Sequence, residues 1–238
     1  MNGQRADPWP VIWSQLRFFL SLWRSRHQRP YALRWLRSLR PNYLLDMPCP
    51  WLTFTAIDFL GRALTPGLKI FEYGSGGSTL FWLQFRPERV VSVEHDAAWY
   101  AALKRRLAPG VSVDYRLILP EPRAPGVDQA DPADPGGYAS SDPAWAGHSF
   151  RGYAAQIDAF PDGHFDVVLV DGRARPACLR HSAPKVKPGG WLILDNSDRA
   201  YYLERTAPLL RHFERRVFAG ATPQVLNLSE TTLFTRVA

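Results

Sequence analysis

KIFEYGSGGSTLFW, residues 69–82, sets three glycines and two serines between an apolar run and an amphipathic one. The run from Leu68 to Tyr73 reads as a short buried strand, and the residues from Ser78 open a helix. Glycines at such a turn let the backbone approach a ligand closely. The helix start that follows offers N–H groups with no partner inside the helix. Gly74, Gly76 and Gly77, with Ser75 and Ser78, are therefore the expected wall of a cofactor site.

Strand and helix alternate on both sides of this turn. PWLTFTAIDFLGRAL (50–64) predicts a helix before it, and RVVSVEHD (89–96) predicts a second strand after it. AAWYAALKRRL is a helix, GVSVDYRLIL a third strand, HFDVVLVDG a fourth, PACLRHSAPKV a helix and GGWLILDN a fifth strand. AYYLERTAPLLRHF reads as a further helix, and ERRVFAG with TTLFTRV as a closing pair of strands. Alternation of this kind implies parallel strands with helices on both faces. The expected fold is α/β, a Rossmann-like doubly wound sheet, with ligands at the carboxyl ends of the strands where strand order reverses. Residues 120–149 interrupt the rhythm with Pro, Gly, Asp and Ser, and predict a lid-like insertion at that same edge. SFRGYAAQIDAF after it reads as the displaced helix.

The chain has 238 residues and a net charge of +7, which looks like a nucleic-acid signal until it is located. Residues 1–41 hold eight arginines and one acid, Asp7; the rest of the chain holds 21 basic and 21 acidic groups and is neutral. The basicity belongs to an N-terminal extension, 1–41, ahead of a body spanning 42–238. In the extension Ile12, Leu16, Phe19, Leu20 and Trp23 form a helical apolar stripe. A helical hairpin packed on the body is expected, and residues 9–40 also fit a peripheral contact with anionic lipid. Two cysteines, Cys49 and Cys178, lie far apart, and neither a signal peptide nor a membrane-spanning run is visible. A cytoplasmic protein, with or without membrane contact, is the expectation.

Two cofactor classes use a glycine turn followed by an acid. A dinucleotide fold wants G-x-G-x-x-G, and Thr79 stands at the third glycine. Glu94, 20 residues beyond Gly74 at the end of the second strand, can accept two hydrogen bonds from a ribose in either class. With Glu72 at the first strand's end the frame becomes E-x-G-x-G-G-S. This resembles motif I of the class I S-adenosylmethionine-dependent methyltransferases, with Ser78 in place of a last glycine; a serine there caps the helix. FDVVLVDG resembles the family's motif IV, and VKPGGWLILDN the stretch through its fifth strand. The resemblance runs from about Pro48 to Arg236 and is strongest to a bacterial subgroup. It implies a seven-stranded sheet with an antiparallel last strand and S-adenosylmethionine held by Glu72, Gly74, Ser75, Gly76, Gly77, Ser78, Glu94, His95 and Asp171.

Asp171, Asp195 and Asn196 correspond in this resemblance to the Asp, Asp and Asn that hold Mg²⁺ in catechol-type O-methyltransferases, and hard oxygens suit that ion. Arg173 or Arg175 stands where those enzymes place a lysine, and arginine forks favour an acidic or sugar-like acceptor. Asp171, Asp195, Arg175 and His148 are the candidate catalytic residues; Tyr138 and Tyr153 near the insertion could stack or act as bases. The expected activity is methyl transfer to an oxygen of a small molecule or saccharide. The alternative is a non-catalytic nucleoside-binding module acting through its N-terminal helices; strand-end acids favour the enzyme. A neutral body and the lack of an Asn-Pro-Pro-Tyr motif argue against a nucleic-acid acceptor.

Overall fold

Parallel strands covered on both faces need apolar side chains at nearly every position, and KIFEY, RVVSVE, FDVVLV and WLILD meet that need. The computed structural model describes residues 9–108, 111, 113–124 and 130–237. Residues 1–8, with Arg5 and Asp7 of the extension, and residues 125–129 of the insertion lie outside the described residues.

The chain opens with helices α1 (Trp9–Arg24), α2 (Arg29–Ser38), α3 (Tyr43–Asp46) and α4 (Phe54–Ala63). Strand β1 (Lys69–Tyr73), α5 (Gly77–Leu83), β2 (Arg89–Glu94), α6 (Ala97–Lys104) and β3 (Val113–Leu117) follow. The insertion carries a two-stranded pair, β4 (Glu121–Pro122) with β5 (His148–Ser149), and leads into α7 (Arg151–Ala154). Then come β6 (Phe165–Val170), α8 (Arg175–Ser182), β7 (Val186–Asp195), α9 (Tyr201–Glu204), β8 (Phe213–Ala221) and β9 (Leu228–Arg236). The helix predicted over 200–213 is a single turn, α9, and a separate 3₁₀ turn at Ala207–Leu210; Pro208 cannot continue an α-helix.

The seven-stranded sheet runs β3-β2-β1-β6-β7-β9-β8. The first five strands are parallel and β9 is antiparallel to both neighbours. Period-two alternation sorts the side chains. Ile70, Val167, Leu169 and Ile193 join Trp82, Leu60 and Trp35 on one face. Phe71, Tyr73, Val168 and Val170 join Phe150, Tyr153 and Leu179 on the other.

The N-terminal helices share the first of these clusters through Leu22, Ala32 and Trp35, so the extension and the sheet have one core between them. Polar contacts fix them on the turn between β8 and β9. Trp35 Nε1 donates to Val225 O at 2.8 Å, Trp51 Nε1 to Pro223 O at 2.8 Å, and Gln224 N to Ser38 Oγ at 2.9 Å. The face of α1 that meets the body is Gln15, Phe18, Phe19 and Leu22, with Phe18 edge-on to Trp35 at 5.0 Å. Of the predicted stripe only Phe19 belongs to that face; Ile12, Leu16, Leu20 and Trp23 stand exposed. The helix is apolar on two sides, and periodicity does not say which side finds a partner.

Gly77 shows why the loop needs its glycines for packing as well as for ligand. A Cβ there would stand 2.1 Å from Cys49 O and 2.4 Å from Leu44 O, both backbone atoms that cannot step aside. Gly77→Ala is expected to destabilise the fold by about 1–3 kcal/mol or more. Urea unfolding checks this, and a midpoint within error of the parent would show that the 44–49 segment moves freely.

Candidate functional site

Strands β2, β1 and β6 lie side by side where the sheet order reverses. Residues just past their carboxyl ends, and past β7, line one cleft of about 640 Å³, a volume suited to a cofactor with a small substrate. One wall is Gly74 to Ser78; the next is Glu94, His95, Asp96 and Trp99; the floor is Asp171, Arg175, Asp195 and Asn196. Leu44 and Trp51 close it from the N-terminal segment, Trp145 from the insertion, and Thr222, Asn227 and Ser229 from the β8–β9 turn.

Gly74 has φ +90, and a Cβ on it would stand 2.9 Å from Gly172 N, so only glycine lets β1 turn here against the end of β6. Glu72 lies beneath the loop and is fully buried. Its carboxylate accepts from Thr79 Oγ1, from Ser92 Oγ at 2.7 Å and from Trp82 Nε1 at 2.9 Å. Burial pushes this carboxyl up while those donors pull it down. Glu72 does not line the cleft. The expectation that it touches the cofactor is corrected: side chains at the end of a strand alternate, and this one points into the layer below, where it ties α5 and β2 together.

Glu94 lines the cleft at the end of β2. It is buried, and Oε2 accepts from Ser75 N at 3.1 Å and Ser75 Oγ at 2.8 Å. Oε1 accepts from His95 N at 2.7 Å and Asp96 N at 2.8 Å. Burial favours its protonated form, but His95, the Asp96 amide and Ser75 together hold it below the usual glutamate range. Asp96 caps α6 by accepting from Trp99 N, and Trp99 Nε1 donates to Ser75 O at 2.8 Å, which pins the indole beside the glycine loop.

The floor departs from the metal expectation. Arg175, in the first turn of α8, is buried and points between the two acids. Its Nη2 lies 3.0 Å from Asp171 Oδ1; its Nη1 donates to the Asp195 carbonyl and, at 3.0 Å, to Asn196 Oδ1. Nη1 is also 3.8 Å from Asp195 Oδ2. The three side chains expected to bind Mg²⁺ are thus gathered around a guanidinium. Asn196 is further spent on Ser229 and Asp195 on Thr231. A divalent ion would have to displace a buried cation, and the residues present do not fit one. Among the described residues no group of three or more His, Cys, Asp or Glu forms a metal site. Burial drives Asp171 well above the usual carboxylate range, the charge of Asp195 adds to this, and Arg175 opposes it. Burial raises Asp195 also, against Arg175 and the Thr231 hydroxyl.

His148 does not line the cleft; its Nδ1 faces Ala146 O at 3.0 Å and its ring meets the edge of Trp145, which takes the cleft position instead. Tyr138 is bonded to His181, and Tyr153 is buried in the second core cluster. Arg173 does line the cleft, and binds Asp142 of the insertion at 2.9 Å. Sequence reasoning missed Trp51, Trp99, Trp145, Arg199 and Thr222. Trp99 carried a signal, five residues beyond Glu94 in a helix start. The others come from segments joined to the site only by folding. Thr222 Oγ1 is buried on the cleft wall and has no hydrogen-bond partner among the described residues.

No family model matches the chain, and no curated protein matches it. Solved structures do. The O-methyltransferase TomG from Streptomyces achromogenes, involved in tomaymycin synthesis and in complex with S-adenosylmethionine, matches with a TM-score of 0.54 at 16% identity, over 85% of this chain and 89% of its own. The O-methyltransferase from Bacillus cereus, in complex with S-adenosylhomocysteine, matches with a TM-score of 0.50 at 13% identity, over 95% and 90%. At such identities the likeness is one of fold: the chain has the Rossmann-like fold of the class I S-adenosylmethionine-dependent methyltransferases.

Proposed function

We propose that this chain, built on the class I methyltransferase fold, moves a methyl group from S-adenosylmethionine to an oxygen of a small molecule or saccharide, without a metal ion. The observation that carries the reading is one cleft holding three things: the glycine turn, the ionised Glu94 and a pair of carboxyls clamped by Arg175. The cofactor supplies the electrophilic methyl. Gly74 to Ser78 would hold its amino-acid part, Glu94 its ribose hydroxyls, and Trp99 offers an aromatic wall beside them. These side chains fit such a ligand, with a glycine-lined wall, an acceptor pair and room for the adenosyl group.

Asp171 is the general base in this reading. It reaches the cleft, and burial raises its pKa, which makes its ionised form a stronger base than an exposed aspartate. Asp171 would take the proton of the acceptor hydroxyl, and Arg175 would steady the carboxyl pair through that change. Arg199 lines the cleft and among the described residues has no acidic partner, which favours an acceptor bearing negative charge or many hydroxyls.

Thermal unfolding with S-adenosylhomocysteine tests the reading, in EDTA and then in Mg²⁺, with NAD as control. At 100 times its Kd a ligand stabilises by about 2.7 kcal/mol, a rise of about 5–11 °C for a chain of this size. The rise is expected with the adenosyl ligand only and equal in EDTA and Mg²⁺. A folded protein with no rise would overturn the cofactor; a rise that needs Mg²⁺ would overturn the metal-free floor.

A further inference from the structure

The stripe that α1 leaves exposed is the largest feature the cleft does not use. Ile12, Trp13, Leu16, Leu20 and Trp23 each remain between 40% and 56% exposed, along one side of a 16-residue helix that meets the body through Gln15, Phe18, Phe19 and Leu22. Monomeric proteins rarely leave such a contiguous apolar surface without a use. From residue 8 to residue 45 there is no Asp or Glu, and there are seven arginines. Of these seven, only Arg34 has an acidic partner among the described residues, Asp58 at 2.5 Å. Arg17 and Arg24 each follow a stripe residue, about 100° round the helix, and so border the stripe.

These features select one occupant. Two copies meeting through α1 would set arginine against arginine. A nucleic acid would want arginine at the centre of the surface, where tryptophan and leucine stand instead. An anionic bilayer offers apolar depth under the stripe and phosphates at its border, and tryptophan favours that boundary. Among the described residues no helix is long and apolar enough to cross a membrane, which leaves α1 lying along the surface.

We propose that α1 lies flat on an anionic lipid surface, with Ile12, Trp13, Leu16, Leu20 and Trp23 among the headgroups and Arg17 and Arg24 paired with lipid phosphates. The cleft stands close by in the chain: of the residues that wall it, Leu44 is in α3, the next helix after α2, and Trp51 lies between α3 and α4. The inference does not depend on the cofactor reading, since its readout is vesicle binding.

The full-length chain is floated with vesicles of phosphatidylcholine mixed with phosphatidylglycerol, and with phosphatidylcholine alone, while tryptophan emission is followed. Co-flotation with the anionic vesicles, a blue shift and at least tenfold weaker binding to neutral vesicles are expected. The Leu16→Glu/Leu20→Glu variant should lose at least tenfold in binding and keep its thermal response to S-adenosylhomocysteine, or, should that cofactor be wrong, its parent unfolding temperature. Arg17→Ala/Arg24→Ala, which leaves the stripe intact, should lose the preference for anionic lipid. No flotation with anionic vesicles, or flotation unchanged in both variants, would overturn the proposal. So would a dimer in sedimentation equilibrium that Leu16→Glu/Leu20→Glu abolishes, which would mean that a second copy covers the stripe.

Discussion

Arg175→Ala is expected to lower the unfolding temperature by about 6–20 °C at pH 8 and by much less near pH 4. Removing one member of a buried ion pair costs about 3–5 kcal/mol, because the remaining charge is left without compensation. In a chain of this length each kcal/mol is about 2–4 °C. The pH dependence follows from the carboxyls. Asp171 and Asp195 already lie above the usual range through burial, and Arg175 is the group that pulls both back. Without it their folded pKa values rise further. Between the unfolded value of about 3.9 and the raised folded values, the folded state holds more protons than the unfolded one, so stability falls as pH rises. Below the unfolded value both states are protonated and this part of the loss vanishes. What persists there is the loss of hydrogen bonds to the Asp195 carbonyl and Asn196 and of the contact with the Tyr202 ring at 5.4 Å. Arg175→Lys keeps the charge but not the fork, and should fall between the two. Thermal scans across pH check this; an equal deficit at pH 4 and pH 8 would mean that Arg175 acts by packing alone.

The parallel sheet was legible because it obeys a local rule. A strand covered on both faces reads as an apolar run, and each run between Lys69 and Asp195 stands in its expected place. The closing pair, β8 and β9, has no such pattern, and was expected from the family resemblance, which implies an antiparallel last strand. Glu94 and the glycine turn were legible because chain distance fixes them: a strand, a helix and a second strand bring residues 20 apart to adjacent strand ends. The floor was not. Asp171, Asp195 and Asn196 carry the residue types of a magnesium site, and nothing local says that Arg175 will turn back over four residues to stand among them. A donor set fixes what a site can attract, and folding decides whether an ion or a guanidinium answers it. Glu72 failed for a smaller reason, a one-residue phase at the end of β1. The stripe on α1 failed because a helix apolar on two sides has two equally periodic faces, and only tertiary contact, with Trp35 above all, chooses between them.

Glu94→Ala should weaken S-adenosylhomocysteine by about 100-fold or more. A hydrogen bond to a charged acceptor is worth about 1.5–3 kcal/mol, and two ribose hydroxyls would make two, so about 3–6 kcal/mol is at stake; tenfold is about 1.4 kcal/mol. The acceptor is ready before any ligand arrives. The amides of Ser75, His95 and Asp96 aim its two oxygens, and the side-chain donor on Oε2 that a ribose hydroxyl could replace is Ser75 Oγ. Ser75→Ala, which removes that competitor and the contact with the Tyr115 hydroxyl but keeps the Ser75 amide, should therefore change affinity little. Glu94→Gln keeps one acceptor and loses the charge, and should fall between. Because burial is outweighed by these donors, the folded pKa of Glu94 lies below its ordinary value of 4.5. Its contribution to stability is thus present above that value and lost as pH falls through the folded pKa. Ligand affinity should hold level from neutral pH down to that acid window and then drop. Titration calorimetry on the folded variants decides the matter. Affinity within threefold of the parent in Glu94→Ala would mean that no ribose sits on this carboxylate, and that the glycine turn and the Arg175-clamped acids serve a ligand of another kind.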